Sequence, residues 1–327
     1  DLEDQLRLLA TKIAYPRWDE ALFARAKAAT LGGYDLAFAS ASSRGRREFP
    51  GFTRPGDSRW QPLGKDVIAA TELQDVRAFF DPLLASGPIE AIIVGDVDLE
   101  TAVAAMKKTI AALPARAPAP EAAGARQVET PAPNPKPAVF THEGDPTQAF
   151  AVIGWSTLGG PGRIEDKRAL SLAANMFQVR LFDRFRETEG GTYSPSVRSS
   201  TSEEFPGWGI FYAAAEIRPG SADAFFRAAR EILADLAAKP AEADEFERAQ
   251  NPVKSGIERS LRTNAYWLNA LEDWTTQPAR IEEVRSYLAD YSALTAEDVR
   301  SAVAKYVADA GDWSMLVLPA KEGASGD

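Results

Sequence analysis

The chain has 327 residues, 45% of them hydrophobic and 26% charged, and a formal net charge of −10 at pH 7. That length suffices for two domains of ordinary size, and the composition is that of a globular chain rather than a disordered one. No apolar run reaches the roughly 18 residues that a membrane-crossing helix needs, and the acidic balance argues against a phosphate-backbone partner.

The absence of cysteine excludes disulfides and thiolate metal sites. The single histidine, His142, is more restrictive still, because a zinc site without cysteine normally needs two or more imidazoles. The chain cannot build one alone. Its opening, Asp1-Leu2-Glu3-Asp4-Gln5-Leu6, is neither basic nor followed by an apolar core, so it is not a signal peptide. It reads as helix interior, and the chain is expected to begin mid-protein, any targeting segment lying upstream.

Helices are expected over residues 4–9 and 18–30, with Pro16 marking the start of the second. Residues 31–65 are rich in Gly, Arg, Ser and Pro and read mainly as loop, in which Arg44-Gly45-Arg46-Arg47 is a solvated basic spot. Helix returns at 66–68 and 72–80. Ala91-Ile92-Ile93-Val94-Gly95-Asp96-Val97 is a continuous apolar run consistent with a buried strand. A helical period then runs from 99 to 113 and stops at Pro114. Seven of the 24 residues in 114–137 are proline, interleaved with alanine. Such a stretch favours extended polyproline conformations and cannot propagate a helix. The domain boundary is therefore placed there: a first module over 1–115, a Pro/Ala-rich linker over 116–137 and a second module over 138–327.

In the second module, residues 138–141 and 149–156 read as strands around the turn Gly144-Asp145-Pro146. Residues 165–186 are amphipathic, with Ala169, Leu172, Ala173, Met176, Phe177, Leu181 and Phe185 at three- and four-residue steps. This helix should end in a left-handed cap at Gly190-Gly191. Strands follow over 192–201 and 208–217, then helices over 222–238, 243–271 (Pro252 being the expected break) and 281–291. A capping box at Thr295-Ala296-Glu297-Asp298 opens a last helix to residue 307, and a strand over 313–318 closes the chain. Residues 79–97 and 299–319 share a helix-then-strand ending, which suggests two related modules.

The sharpest feature is the run Leu181-Phe182-Asp183-Arg184-Phe185-Arg186-Glu187-Thr188-Glu189-Gly190-Gly191-Thr192-Tyr193-Ser194. It places an arginine at a helix end before a diglycine turn, and a tyrosine at the head of the next strand. Both side chains donate hydrogen bonds, so together they suit an acceptor such as a peptide carbonyl or a developing oxyanion. Arg184 is the nearby competitor, at a different spacing.

Arg186-Glu187, Gly190 and Tyr193-Ser194 resemble the Arg…Tyr signature of the pitrilysin, insulysin and mitochondrial-processing-peptidase family of zinc peptidases. Residues 91–98 and 294–306, each with its flanking element, are also similar to the ends of family modules. The resemblance covers roughly residues 18–319. It implies an α+β fold of two related modules, each a mostly antiparallel sheet with helices packed on one face. It also implies that this chain matches the C-terminal half conventionally called inactive, because the H-x-x-E-H zinc motif is missing. Zinc would then be held by an N-terminal half or subunit, and an unfolded peptide would be the substrate. As carried over, Tyr193 donates to the carbonyl or oxyanion and Arg186 binds the substrate backbone nearby. Alone, the chain is expected to be inactive, and a bacterial periplasmic setting follows by analogy.

Other candidates are weaker. His142-Glu143 reads as surface decoration, the clusters at Glu203-Glu204 and at 242–247 as solvated carboxylates, and Trp208, Trp267 and Trp274 as packing. Gly95-Asp96-Val97-Asp98 lacks a following phosphate loop, which argues against nucleotide binding. An autonomous Ser or Asp hydrolase fails for want of a histidine beside a nucleophile. The rival reading is a scaffold subunit that kept the fold and lost the chemistry. The Arg186/Tyr193 pair separates the two.

Overall fold

The structure is a computed structural model. It describes residues 2–119, 124–160, 163–189, 195–308 and 311–320, without the side chains of 186–189 and 308. In chain order the elements are α1 (Leu2–Ala14), α2 (Glu20–Gly33), α3 (Ala41–Phe52), α4 (Lys65–Ala70), α5 (Leu73–Ala85), α6 (Leu99–Lys108), β1 (Ala138–His142), β2 (Ala149–Thr157) and α7 (Ile164–Glu189). Then follow β3 (Ser196–Thr201), β4 (Gly209–Ile217), α8 (Ala222–Ala238), α9 (Ala243–Ser260), α10 (Asn264–Ala270), α11 (Ala279–Ala293), α12 (Ala296–Val303) and β5 (Trp313–Pro319).

The chain forms two compact units that are not consecutive stretches. One comprises Asp1–Tyr34, Leu63–Ala123 and Ser260–Ile281; the other comprises Asp35–Pro62, Gly124–Arg259 and Glu282–Asp327. This partition passes through the Pro/Ala-rich stretch, between Ala123 and Gly124. It also moves 35–62 and 260–281 across a division that order along the chain alone would draw.

The first unit is helical among its described residues. Asp19 caps α2, its carboxylate accepting from the Leu22 N–H at 3.0 Å, and Asp98 caps α6 in the same way through Thr101 at 2.8 Å. Glu90 holds the turn at 273–275 by accepting from the backbone N–H groups of Asp273 and Thr275 at 2.9 and 3.2 Å. The expected strand over 91–97 is not formed. The run is apolar enough, but a strand needs a partner for its backbone groups, and this unit contains no second strand among its described residues.

The second unit is built on one five-stranded sheet in the order β1-β5-β2-β4-β3. β1 and β5 run parallel, and the other pairings are antiparallel. Because side chains alternate across a strand, Ala151, Ile153 and Trp155 of β2 and Phe211, Ala213 and Ala215 of β4 share one face. That face is buried under α7, α8 and α12. The three helices supply Phe177, Leu181, Phe225, Leu233 and Val303, all fully buried. Each such large side chain contributes roughly 1.5–3 kcal/mol of hydrophobic stabilisation.

The opposite face carries Val152, Ile210, Ala214, Trp313 and Met315, against which Phe49 and Phe52 of α3 pack. Burial on both faces explains why β2, β4 and β5 read as nearly continuous apolar runs. The α+β class with helices on the sheet is as the family resemblance implies. α3 on the second face is an addition, since 31–65 reads as loop. Its signals are local: Ser40 caps it through the Ser43 N–H at 3.1 Å, and Arg44 pairs with Glu48 one turn on at 3.3 Å. Gly45 masks the helix in sequence. Its hydrogen faces the Phe150 ring, and a Cβ there would lie 2.3 Å from it.

The Pro-rich stretch docks on this sheet through a side chain. Proline offers no N–H to a ladder, and Asn134 supplies what is missing. Its Oδ1 accepts from Ser314 N at 2.8 Å and its Nδ2 donates to Ser314 O at 3.0 Å, so the amide stands in for a neighbouring strand just before β1 begins.

Candidate functional site

Two features of the second unit bear on function: the α7–β3 junction, where the Arg…Tyr run lies, and a groove on the uncovered part of the sheet. At the junction, Leu181 and Phe185 are buried, and the Phe185 ring meets Phe225 at 5.7 Å. These contacts fix the last turns of α7. The backbone of Arg186 belongs to that helix, while its side chain lies outside the described residues, as do the diglycine turn and Tyr193. The strand resumes at Ser196, and the Val197 N–H donates to the Gln178 side chain of α7 at 3.2 Å. Arg184, the alternative arginine, donates to Glu231 at 3.1 Å.

The groove lies where α3 stops covering the sheet. A cleft of about 710 Å³ has Phe49, Phe150, Val152, Tyr212 and Ala214 as apolar lining, with Arg46, Arg198 and Glu216 at its walls. A second cleft of about 430 Å³ shares Phe49, Arg198 and Tyr212 with the first and continues toward Arg54 and Ser200. Ser196, Arg198 and Ser200 alternate along β3, so one face of the strand lines both clefts. Arg54 is clamped between the rings of Trp60 and Trp208, 4.0 and 3.8 Å from their centroids. Burial there pushes its guanidinium pKa down, and Asp57 opposes the shift. Burial raises the Tyr212 phenol, with Arg198 pulling the other way, so the hydroxyl stays protonated and can donate. Sequence reasoning missed Arg46, Arg198 and Tyr212. The available signal was one arginine at an alternating position in a serine-rich strand.

Other expected roles change. His142 is not surface decoration: it is 1% exposed, its Nε2 lies 2.9 Å from Gln148 O and its Nδ1 accepts from Gly144 N at 3.1 Å. Both ring nitrogens are occupied in tying β1 to the following turn. Arg44 and Arg47 are half-buried and stack over Phe38 at 4.4 and 5.4 Å rather than being solvated. Glu203 pairs with Lys167, and Glu245 accepts from Arg180 at 2.7 Å, so these carboxylates tie elements together. Trp208 is buried and donates to Thr53 O at 2.9 Å, whereas Trp274 is 41% exposed instead of packed.

Among the described residues the donor set does not fit a zinc ion. The one imidazole is buried with both nitrogens bonded, and among the described residues no group of three His, Asp or Glu side chains is placed to hold a metal. No described helix is long and apolar enough to cross a membrane.

Comparison with known proteins gives a consistent result. The family model described as "Peptidase M16 inactive domain" matches residues 71–253, more than half of the chain. No curated protein matches. Among solved structures, the periplasmic protease PqqL from Escherichia coli is similar at TM-score 0.78 and 18% identity, covering 97% of this chain and 35% of that one. A protease from Helicobacter pylori is similar at 0.79 and 17%, covering 97% and 77%. A peptidase M16 inactive domain from Pseudomonas fluorescens is similar at 0.76 and 20%, covering 97% and 75%. The chain thus spans about a third of the length of the E. coli protease, and identities this low speak for the fold. With a matched model over more than half of the chain and an α+β fold shared with these proteases, the chain belongs to the peptidase M16 inactive-domain family.

Proposed function

We propose that this chain is the substrate-binding, non-zinc half of a zinc-dependent peptidase, completed by a zinc-bearing half on another domain or subunit. The observation that carries the reading is the inactive-domain match, which spans the Arg186…Tyr193 run; among the described residues no group of three His, Asp or Glu side chains is placed to hold a metal. In this reading Arg186 binds the backbone carbonyls of an unfolded peptide, and Tyr193 donates a hydrogen bond to the scissile carbonyl as its oxygen gains charge. Fixed donors at that position stabilise the transition state more than the ground state. Burial of Leu181 and Phe185 supports the role by anchoring the last turns of α7, to which the backbone of Arg186 belongs. The E. coli relative is a periplasmic protease, and we assign this chain to the same compartment.

The test is cleavage of a quenched, unstructured peptide by the zinc-bearing half, alone and paired with this chain. The wild-type pair should cleave, this chain alone should not, and Tyr193→Phe should lower the rate of the pair by about ten-fold or more. If the zinc half cleaves equally well with either chain, Tyr193 has no part in the reaction and the chain is a scaffold.

A further inference from the structure

The two clefts on the sheet form one groove along β3 and β4, and its character differs from that of the molecule around it. The chain carries a net charge of −10, yet the groove presents Arg46, Arg198 and Arg54, with Glu216 as the carboxylate among its lining residues. Arg46 and Arg198 are exposed and make no ion pair among the described residues. Arg46 reaches only Ser42 of its own helix, at 3.4 Å. Arg54 is held in place by its two tryptophans. The floor between these cations is apolar, formed by Phe49, Phe150, Tyr212 and Ala214.

We propose that this groove is a peptide subsite that seats an extended acidic segment. Its carboxylates would meet Arg46 and Arg198, and its apolar side chains would lie on the Phe49–Phe150–Tyr212 floor. The proposal deepens the functional reading above and rests on it for the presence of a peptide. Charge complementarity selects the occupant: guanidinium groups without carboxylate partners pair with carboxylates in two-pronged geometry, and a cleft lined by one sign of charge concentrates the opposite sign. The sheet face, rather than its edge, is the seat. β3 is an edge strand, but its outward N–H at Val197 is already taken by Gln178, which blocks strand addition at that point.

The probe is a fluorescein-labelled peptide in which glutamates flank leucine and phenylalanine, with a twin carrying lysine at each glutamate. Fluorescence anisotropy with the full chain should show the glutamate peptide binding tighter than its twin, and weakening with salt. Arg198→Glu and Arg46→Glu should each weaken it by about ten-fold, the scale of one lost charge-assisted contact. Circular dichroism checks that each variant is folded. If Arg198→Glu is not, Arg46→Glu on the exposed face of α3 decides. Equal binding of the two peptides, or affinity unchanged in a folded variant, overturns the proposal. So does a shift in sedimentation with Arg198→Glu and no peptide binding, which would make the groove an interface between two copies. Cleavage by the chain paired with its zinc-bearing half, measured beside the anisotropy, separates this proposal from the one it rests on. A groove that prefers the glutamate peptide in a chain whose pair shows no cleavage removes the catalytic reading and leaves the subsite, whereas a pair that cleaves while the groove shows no preference removes the subsite alone.

Discussion

Gly154 shows how a single absent side chain organises the second face of the sheet. It pairs with Tyr212 on β4 and Trp313 on β5, and a Cβ at this position would lie 2.3 Å from the Trp313 ring. The ring has nowhere to go: Trp313 is fully buried, with Phe49 and Phe52 at 6.4 and 5.6 Å. Gly154→Ala should therefore destabilise the chain by about 1–3 kcal/mol, the usual cost of overpacking a core. Thermal denaturation measures it, and an unchanged midpoint would mean that the ring has slack. Neither glycine contact is legible in sequence. Gly154 sits in a plain apolar strand and Gly45 among arginines, and each is needed for a ring that arrives from far along the chain. His142 illustrates the same limit from the other side. Its burial depends on the Gln148 carbonyl, and residue type alone gives no hint of that.

At the scale of elements, hydrophobic period carried most of the expectations. The period-3.6 stripe of α7 and the buried strands β2, β4 and β5 form where the pattern places them, because both are set by local spacing and a contiguous core. The Thr295 capping box is also realised, with Asp298 accepting from Thr295 N at 2.8 Å and donating its own N–H back to the Thr295 hydroxyl at 3.2 Å. Pattern failed where an element depends on a distant partner: α3 needs the sheet beneath it, and the run 91–97 lacks a strand to pair with. The helix expected over 243–271 runs unbroken through Pro252 but ends at Ser260, with α10 following from Asn264, since an exposed proline removes one hydrogen bond without having to end a helix. Pro252→Ala should restore that bond and stabilise the chain by about 1–3 kcal/mol. A urea midpoint that rises at constant slope bears this out, and one that falls shows that α9 needs its proline.

At the scale of the whole molecule, the two units differ in how much apolar surface they bury. In the first, Leu6, Ala10, Leu73 and Ala105 are the buried apolar residues among those described, while Phe79, Phe80, Leu83 and Leu99 are exposed. In the second, the cluster between the sheet and α7, α8 and α12 runs from Ala149 to Leu316 and includes six phenylalanine and tryptophan rings. Burial is the main source of stability, and helices without an apolar partner are marginal in water. The arginine groove belongs to the well-buried unit, so its lining residues rest on the part of the chain with the larger apolar core. Hydrogen exchange should resolve the difference. Amides of α1, α2, α5 and α6 should exchange through low-energy openings, while those of β2, β4 and β5 should open only with the unfolding of their unit. Denaturation should then follow more than one step, with the helical unit lost first. A single protection level across both units, with coincident transitions by fluorescence and circular dichroism, would show that the helical unit draws stability beyond what its own burial supplies.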